Sequence, residues 1–359
     1  MIRIFACCSP GEIRAAAVDD QGTLVDYAIH RPGRPDGVGD RLRGRVIAAV
    51  PAMAGAFIAL PDAEGFLPDS QGAAGLHQGD SVTVVITRTA QGGKGPRLSA
   101  RTPQAEPGPP ALLAPGPGAI DRLLALHPGA SLTIDDPAHA RPGATIVQQA
   151  WDDTLTATIE ALADPFLPLP GGARATIHPT PALVAIDLDT AAATAGRNPK
   201  AATQRAINEA AIPALARAIR LRNLSGAIVV DLAGMAQKAR TALAPAFAAA
   251  LATDPLHPRF LGFTALGLAE ITRPRAHAPL HELQAGPHAA GLAALRHLAR
   301  QAADSPATPW RLRTTPDIVS ALEADPTARA DLARRTGRPL ILFSDPSLPP
   351  GSCRPEPHA

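Results

Sequence analysis

The sequence predicts an α/β fold class, α+β over the whole chain, and three observations carry that expectation. Residues 183–190 and 226–231 read as short runs rich in branched side chains that each end on aspartate, with helical periodicity between and after them. The first hundred residues read instead as many short strands with glycine bends. Beyond residue 277 the chain returns to a smaller alternation of helices and strands.

Taken in order, residues 1–30 alternate around a turn at Asp19-Asp-Gln-Gly22 and predict a β-meander. Residues 39–101 hold several short strands and resemble a small OB-type barrel, with Phe57 and Phe66 at the ends of adjacent strands. Aromatics are 3% of the chain, so this pair stands out. Such side chains either fill a barrel core or stack bases beside a basic groove. Gln91-Gly-Gly-Lys-Gly95 is a flexible loop followed by Arg97, suited to a phosphate backbone. From 102 to 118 the composition shifts to Pro, Gly and Ala, which predicts a linker or long loop, partly extended.

Residues 119–126 then read as a helix, 131–134 as a strand and 153–163 as a helix. Asn198-Pro199 starts a helix expected to kink at Pro213, and 236–253 forms another, kinked at Pro245. A helix carrying Leu292, Leu295 and Leu298 opens the last segment, followed by strand, helix, helix and strand, with a loose tail from Pro346. The expected divisions are 1–38, 39–101, 102–118, 119–180, 181–276 and 277–359.

The 359 residues are 46% hydrophobic and 18% charged, ample for two or three folded domains. A formal net charge of +2 implies no nucleic-acid partner by itself, so any basic surface must come from local clustering. Three cysteines, Cys7, Cys8 and Cys353, supply neither a disulfide framework nor a spaced metal-ligand set, which implies a reducing compartment. No signal peptide or membrane span is read, so a cytoplasmic protein without a membrane partner is expected.

The two aspartate strands suit strands covered on both faces, and they deliver carboxylates where open α/β sheets put chemistry. Asp187 and Asp231, with Asp189 a third two residues past the first, can share one hard divalent cation such as Mg²⁺. Strand-ending aspartates also simply start turns. Around them, residues 197–240 carry eight basic residues against two acids, an arrangement that favours a phosphodiester substrate. Helix arginines that face solvent give the same count.

Val184-Ala-Ile-Asp-Leu-Asp-Thr-Ala-Ala-Ala-Thr194, Ile207-Asn-Glu-Ala-Ala211, Ile219-Arg-Leu-Arg-Asn-Leu-Ser-Gly-Ala-Ile-Val-Val-Asp231 and Leu266-Gly-Leu-Ala-Glu-Ile-Thr-Arg273 resemble the catalytic core of the bacterial ribonuclease E/G family. Gly44-Arg-Val, Gly55-Ala-Phe57, Gly65-Phe-Leu67 and Gly93-Lys-Gly95 are similar to its RNA-binding OB-fold. The resemblance implies a DNase I-like catalytic layer, an inserted OB-fold RNA-binding barrel and a small C-terminal α+β domain. It also implies Mg²⁺-dependent endonucleolytic cleavage of single-stranded RNA. Carried over residue by residue, Asp187 and Asp231 stand at the magnesium-holding positions, and Phe57, Phe66 and Lys94 at RNA-contacting ones. Asp189 stands where the family usually has an asparagine, and Asp189→Asn is expected to be tolerated.

The cysteine pair that joins subunits through zinc has no counterpart after Arg275; His277, His281 and His288 are nearby. A homodimer is therefore expected, and a zinc-linked tetramer is not. Most of the RNase H-like region and 5′ sensor is missing between barrel and core, leaving 119–180 as a reduced remnant. Two other classes stand beside this reading: a non-catalytic RNA-binding or ribosome-assembly protein derived from the nuclease, and an unrelated metal-dependent phosphoesterase. Paired carboxylates beside phosphate argue against the first, and a stacking platform argues against the second.

Overall fold

The computed structural model describes residues 1–190 and 200–358, the side chains of 200–202 excepted. Strands β1 (Arg3–Ser9), β2 (Glu12–Val18) and β3 (Leu24–His30) form the expected antiparallel meander. The β1–β2 turn needs Gly11: its φ is +74°, and a Cβ there would lie 2.5 Å from the Cβ of Ala328 in the last segment of the chain.

The chain leaves β3 for a barrel built from β4 (Arg41–Val50), β5 (Gly55–Ala59), β6 (Glu64–Pro68), β7 (Ser81–Arg88) and β8 (Arg97–Ser99). Its hydrogen-bonded order β4-β5-β6-β8-β7 closes on β4, with β6 and β8 parallel, which fits an OB-fold. Ala56, Ile58, Leu67, Val84 and Leu98 fill its centre. The Pro/Gly-rich stretch does not run free. It lies along the barrel, adds β9 (Ala111–Ala114) to β4, and is held by Arg43, which donates to the carbonyls of Glu106 and Pro109. Gln104 bonds both the N–H and the carbonyl of Thr83.

Helix α1 (Ala119–Leu126) returns the chain to the first sheet. Strands β10 (Ser131–Ile134) and β11 (Thr145–Ile146) then pair in parallel beside β1, giving the order β11-β10-β1-β2-β3. Residues 1–30 and 131–146 therefore share one sheet and one core, in which Ile120 and Leu123 of α1 cover Ile4, Ala6 and Ile134. Trp151, just before α2 (Asp153–Glu160), and Ile159 within it contribute to the core on Ala16, Val18 and Leu24.

A second sheet follows, with strands β12 (Phe166–Pro168), β13 (Arg174–Pro179), β14 (Val184–Asp189), β15 (Gly226–Asp231), β16 (Arg259–Phe263) and β17 (Ala269–Arg273) in the order β12-β13-β14-β15-β17-β16. Helix α3 (Lys200–Leu221) buries Ile212, Leu215 and Ile219 against Ile186, Ile228 and Val230, each such burial stabilising by about 1.5–3 kcal/mol. Pro213 sits on the exposed side of α3, and the helix runs through it. The start expected at Asn198-Pro199 lies outside the described residues. The second expected helix is broken: α4 (Gln237–Arg240) passes through a 3₁₀ turn into α5 (Ala244–Leu251), and Pro245 opens α5 rather than kinking a longer helix. Phe247 of α5 stacks on Phe260 with ring centres 5.0 Å apart.

The expectation that both aspartate strands are covered on two faces is overturned. Val184, Ile186 and Leu188 are buried while Ala185, Asp187 and Asp189 are not, and β15 alternates likewise. The helices pack on one face only, so small apolar residues at 185, 227 and 229 make a half-buried strand read as a fully buried one.

After α6 (Leu280–Leu283), helix α7 (Gly286–Asp304), β18 (Trp310–Thr314), α8 (Pro316–Glu323), α9 (Pro326–Thr336), β19 (Ile341–Ser344) and β20 (Cys353–Pro357) form a last α+β unit. The tail is not loose: β20 pairs along the whole of β18, and Arg311 bonds Glu356. As an edge strand it accommodates Pro355 and Pro357. This unit is fastened to the first sheet by ion pairs. Arg296 and Arg31 converge on Glu12, which is 4% exposed, and Arg334 and Arg335 on Asp136, which is 2% exposed.

Candidate active site and nucleic-acid groove

Strands β14 and β15 pair in parallel with Asp187 opposite Asp231. Residues directly opposite share a face, so both carboxylates leave the sheet on the side away from α3 and α5, at the carboxyl ends of the strands. Both residues are exposed. One carboxylate oxygen of Asp231, Oδ1, accepts from Arg240 Nη1 at 3.0 Å. Arg240 also donates to the carbonyls of Leu232, Met235 and Gly267, which fixes the loop after Asp231. From the other side Asn208, fully buried on α3, donates to the carbonyl of Ala233 and accepts from its N–H. An amide on the apolar side of a helix is a legible signal, because Asn208 falls in line with Ile212 and Leu215. Sequence reasoning gave neither Asn208 nor Arg240 a role.

Asp189 faces the same side as Asp187 but is turned to β13, where Arg174 is its cross-strand partner and donates to it at 3.0 Å. Among the described residues no group of three or more His, Cys, Asp or Glu side chains converges as a ready cation cage. The two carboxylates that could share a cation are Asp187 and Asp231, with the Oδ2 atom of Asp231 not engaged by Arg240. Two hard, exposed carboxylates on adjacent strands fit a small divalent cation that completes its shell with water and phosphate oxygens.

Three cations of the Arg-rich segment are engaged away from this pair. Arg220 binds the buried Asp26, Arg222 reaches the carbonyls of Ala161 and Asp164, and Arg205 pairs with Glu209. Arg240 is the member of that segment whose ion pair is with a site aspartate. Arg197 lies outside the described residues. Two of the three nearby histidines are likewise engaged, His277 with Asp36 and His288 with Asp325.

On the barrel, Phe57 and Phe66 are cross-strand partners with ring centres 5.4 Å apart at 65°. Their neighbours Ala56, Ile58 and Leu67 point inward and are buried, so alternation turns both rings outward and the core-filling reading fails. Phe57, Phe66, Lys94 and Arg97 line one open groove of about 900 Å³, together with Arg88. Gly95 is required there, since a Cβ would lie 1.8 Å from the carbonyl oxygen of Glu64. Burial together with the neighbouring Arg97 and Arg275 lowers the Arg88 guanidinium from its ordinary pKa, and its Nε lacks a protein partner. Cations beside outward rings are the chemistry by which a surface can hold a phosphate next to a stacked base.

A model of the ribonuclease E/G family matches residues 149–276, the segment that contains Asp187, Asn208, Asp231 and Arg240. Ribonuclease E of Synechocystis sp. is 35% identical over 147 residues, 40% of this chain and 22% of that protein. Ribonuclease E of Nostoc sp. is 34% identical over 130 residues, 36% of this chain and 19% of that protein. Ribonuclease G of Haemophilus influenzae is 32% identical over 126 residues, 35% of this chain and 26% of that protein. The matched part spans about a fifth to a quarter of the length of these curated relatives. Among the described residues no helix is long and apolar enough to cross a membrane.

Proposed function

The chain belongs to the ribonuclease E/G family, and from that premise we propose that it is a Mg²⁺-dependent endoribonuclease acting on single-stranded RNA. The observation that carries the proposal is the in-register pairing of Asp187 with Asp231 on the open face of the second sheet, taken as the DNase I-like catalytic layer. Asp187 and Asp231 would hold the ion. Arg240 fixes the rotamer of Asp231 and keeps one of its oxygens occupied. When bound, Mg²⁺ supplies Lewis-acid stabilisation of charge developing at the scissile phosphate and lowers the pKa of attacking water.

On the barrel, Phe57 or Phe66 stacks a base while Lys94 and Arg97 hold the adjoining backbone phosphates. Stacking requires an unpaired base, which favours single strands over duplex. A binder without cleavage gains nothing from two anionic side chains placed beside phosphate, so the nuclease reading is the better supported. The protein is proposed to act in the cytoplasm as a homodimer and as a short form of its family. The test is incubation of purified protein with an end-labelled unstructured RNA, with Mg²⁺ or with excess chelator. Internal cleavage that appears only with Mg²⁺ is expected; intact RNA under both conditions refutes the proposal.

A further inference from the structure

We propose that Phe166 stacks the base beside the scissile phosphate, as a stacking point on the second sheet separate from the rings on the barrel. The inference rests on the reading of Asp187 and Asp231 as the metal site of a nuclease that cleaves single-stranded RNA. Matched pairings lay four residues in one row across the sheet: Phe166 on β12 lies opposite Thr176, Thr176 opposite Asp187, and Asp187 opposite Asp231. Partners in such a row share a face, and their chain neighbours Leu167, Ala175, Ile186 and Val230 pack into the core on the other face. The ring and both carboxylates therefore stand on the open side.

Neighbouring strands lie about 4.8 Å apart, so the backbones of Phe166 and Asp187 are about 10 Å apart, with the short side chain of Thr176 between them. Phe166 is the most exposed of the eight phenylalanines, at 54%. The core needs from β12 the inward Leu167, not this ring. The Asp164 carboxylate accepts from the Phe166 N–H at 2.8 Å, which fixes the start of β12 beneath the ring. A lone exposed apolar side chain is ordinary on a protein surface, and what gives this one a use is its row. An RNA phosphate held through a cation at Asp187 and Asp231 leaves the neighbouring base free to lie back across Thr176, and an aromatic face accepts any base that does so. The stack then sets which bond is presented to the metal pair.

The test uses an unstructured RNA that the parent protein cuts at one mapped bond in Mg²⁺. Phe166→Ala should lower kcat/KM about fivefold to a hundredfold, Phe166→Trp should stay within about threefold of the parent, and Phe166→Leu should behave like the alanine variant. Replacing the base on one side of the cut bond by an abasic site should slow the parent to the level of Phe166→Ala, and the two proteins should then cleave that RNA alike. A ring with a merely structural role would leave the loss indifferent to that base. Equal cleavage of the intact RNA by Phe166→Ala and the parent, or a loss that persists on both flanking abasic RNAs, overturns the proposal, while loss of cleavage in Asp187→Asn keeps the metal-site reading. Light scattering should give Phe166→Ala the subunit number of the parent; a change would make the ring a contact between copies and also overturn the proposal. If the parent fails to cleave, or Asp187→Asn cleaves like the parent, the site reading falls and this inference falls with it.

Discussion

Asp187 and Asp231 are cross-strand partners in a parallel pair, so matched backbone positions set their carboxylates side by side without help from either loop. Replacing either with asparagine keeps the shape and removes the charge that a hard cation needs. Asp187→Asn and Asp231→Asn should each reduce Mg²⁺-dependent cleavage to background while RNA affinity changes less than about twofold. Initial cleavage rates and fluorescence anisotropy on the same RNA measure the two effects. Retained Mg²⁺-dependent cleavage in either variant contradicts the assignment.

Phe57→Ala should weaken binding of single-stranded RNA by about 1–3 kcal/mol, the usual worth of one stacked base, with little change in thermal stability because the ring faces outward. Ile58→Ala, one residue on but inside the barrel, should do the reverse and cost about 2–5 kcal/mol of stability. Anisotropy titrations and melting curves on both variants distinguish the two faces of β5.

If the proposed cleavage holds, the protein should hardly discriminate RNA with a 5′ monophosphate from RNA with a 5′ triphosphate or hydroxyl. A sensor for that phosphate needs a rigid pocket of available donors. The stretch from 102 to 118 contains no arginine. The two nearest substitutes are committed elsewhere, Arg122 to Asp36, His277 and the carbonyl of Ile29, and Arg141 to both oxygens of Asp121. A tenfold preference for the monophosphate, roughly 1.4 kcal/mol, would show a sensor outside these residues.

Glu12 should govern acid stability. Burial alone would raise its pKa, but Arg296, Arg31 and Arg14 outweigh burial and hold the carboxyl below its ordinary value. A depressed carboxyl contributes stability that is complete above the unfolded-state value near 4.5 and is lost as pH falls through the folded-state value. Melting temperature should therefore fall below about pH 4.5. Glu12→Gln should cost about 3–5 kcal/mol at neutral pH by stranding three partly buried arginines, and should flatten that acid slope. Thermal unfolding from pH 7 to pH 3 decides it.

In solution the chain should be no larger than a dimer, and chelators should leave its size unchanged. Light scattering with and without chelator checks this, and a tetramer that disperses on chelation would overturn it.

What was legible locally in the sequence was legible because the pattern is local. Asp187 and Asp231 could be placed at strand ends from the branched runs before them, and α1 from its own periodicity. The outward turn of Phe57 follows from alternation once Ile58 is known to be buried, yet nothing in the string says which side is the core. Pairings between distant segments left no local trace. The parallel match of Ile4 with Leu132 has no sequence signature, and the prolines of β20 hide an edge strand. Arg240 was one of many arginines in a chain with three lysines, so composition masked the one that grips Asp231.

The insertion of the barrel between β3 and α1 also bears on the order in which the chain folds. Every strand pairing of the barrel lies within residues 41–114, so it can close before β10 exists to pair with β1. Once closed, it draws Asp40 against Gly116, the two points where the chain enters and leaves, through a hydrogen bond from the Gly116 N–H. The loop that the first sheet must close between residues 4 and 132 is then less than half its covalent length, which spares about 0.6 kcal/mol or slightly more of closure entropy. A destabilised barrel should consequently slow formation of the distant β1–β10 pair and leave the edge of β1 open to misassociation during synthesis.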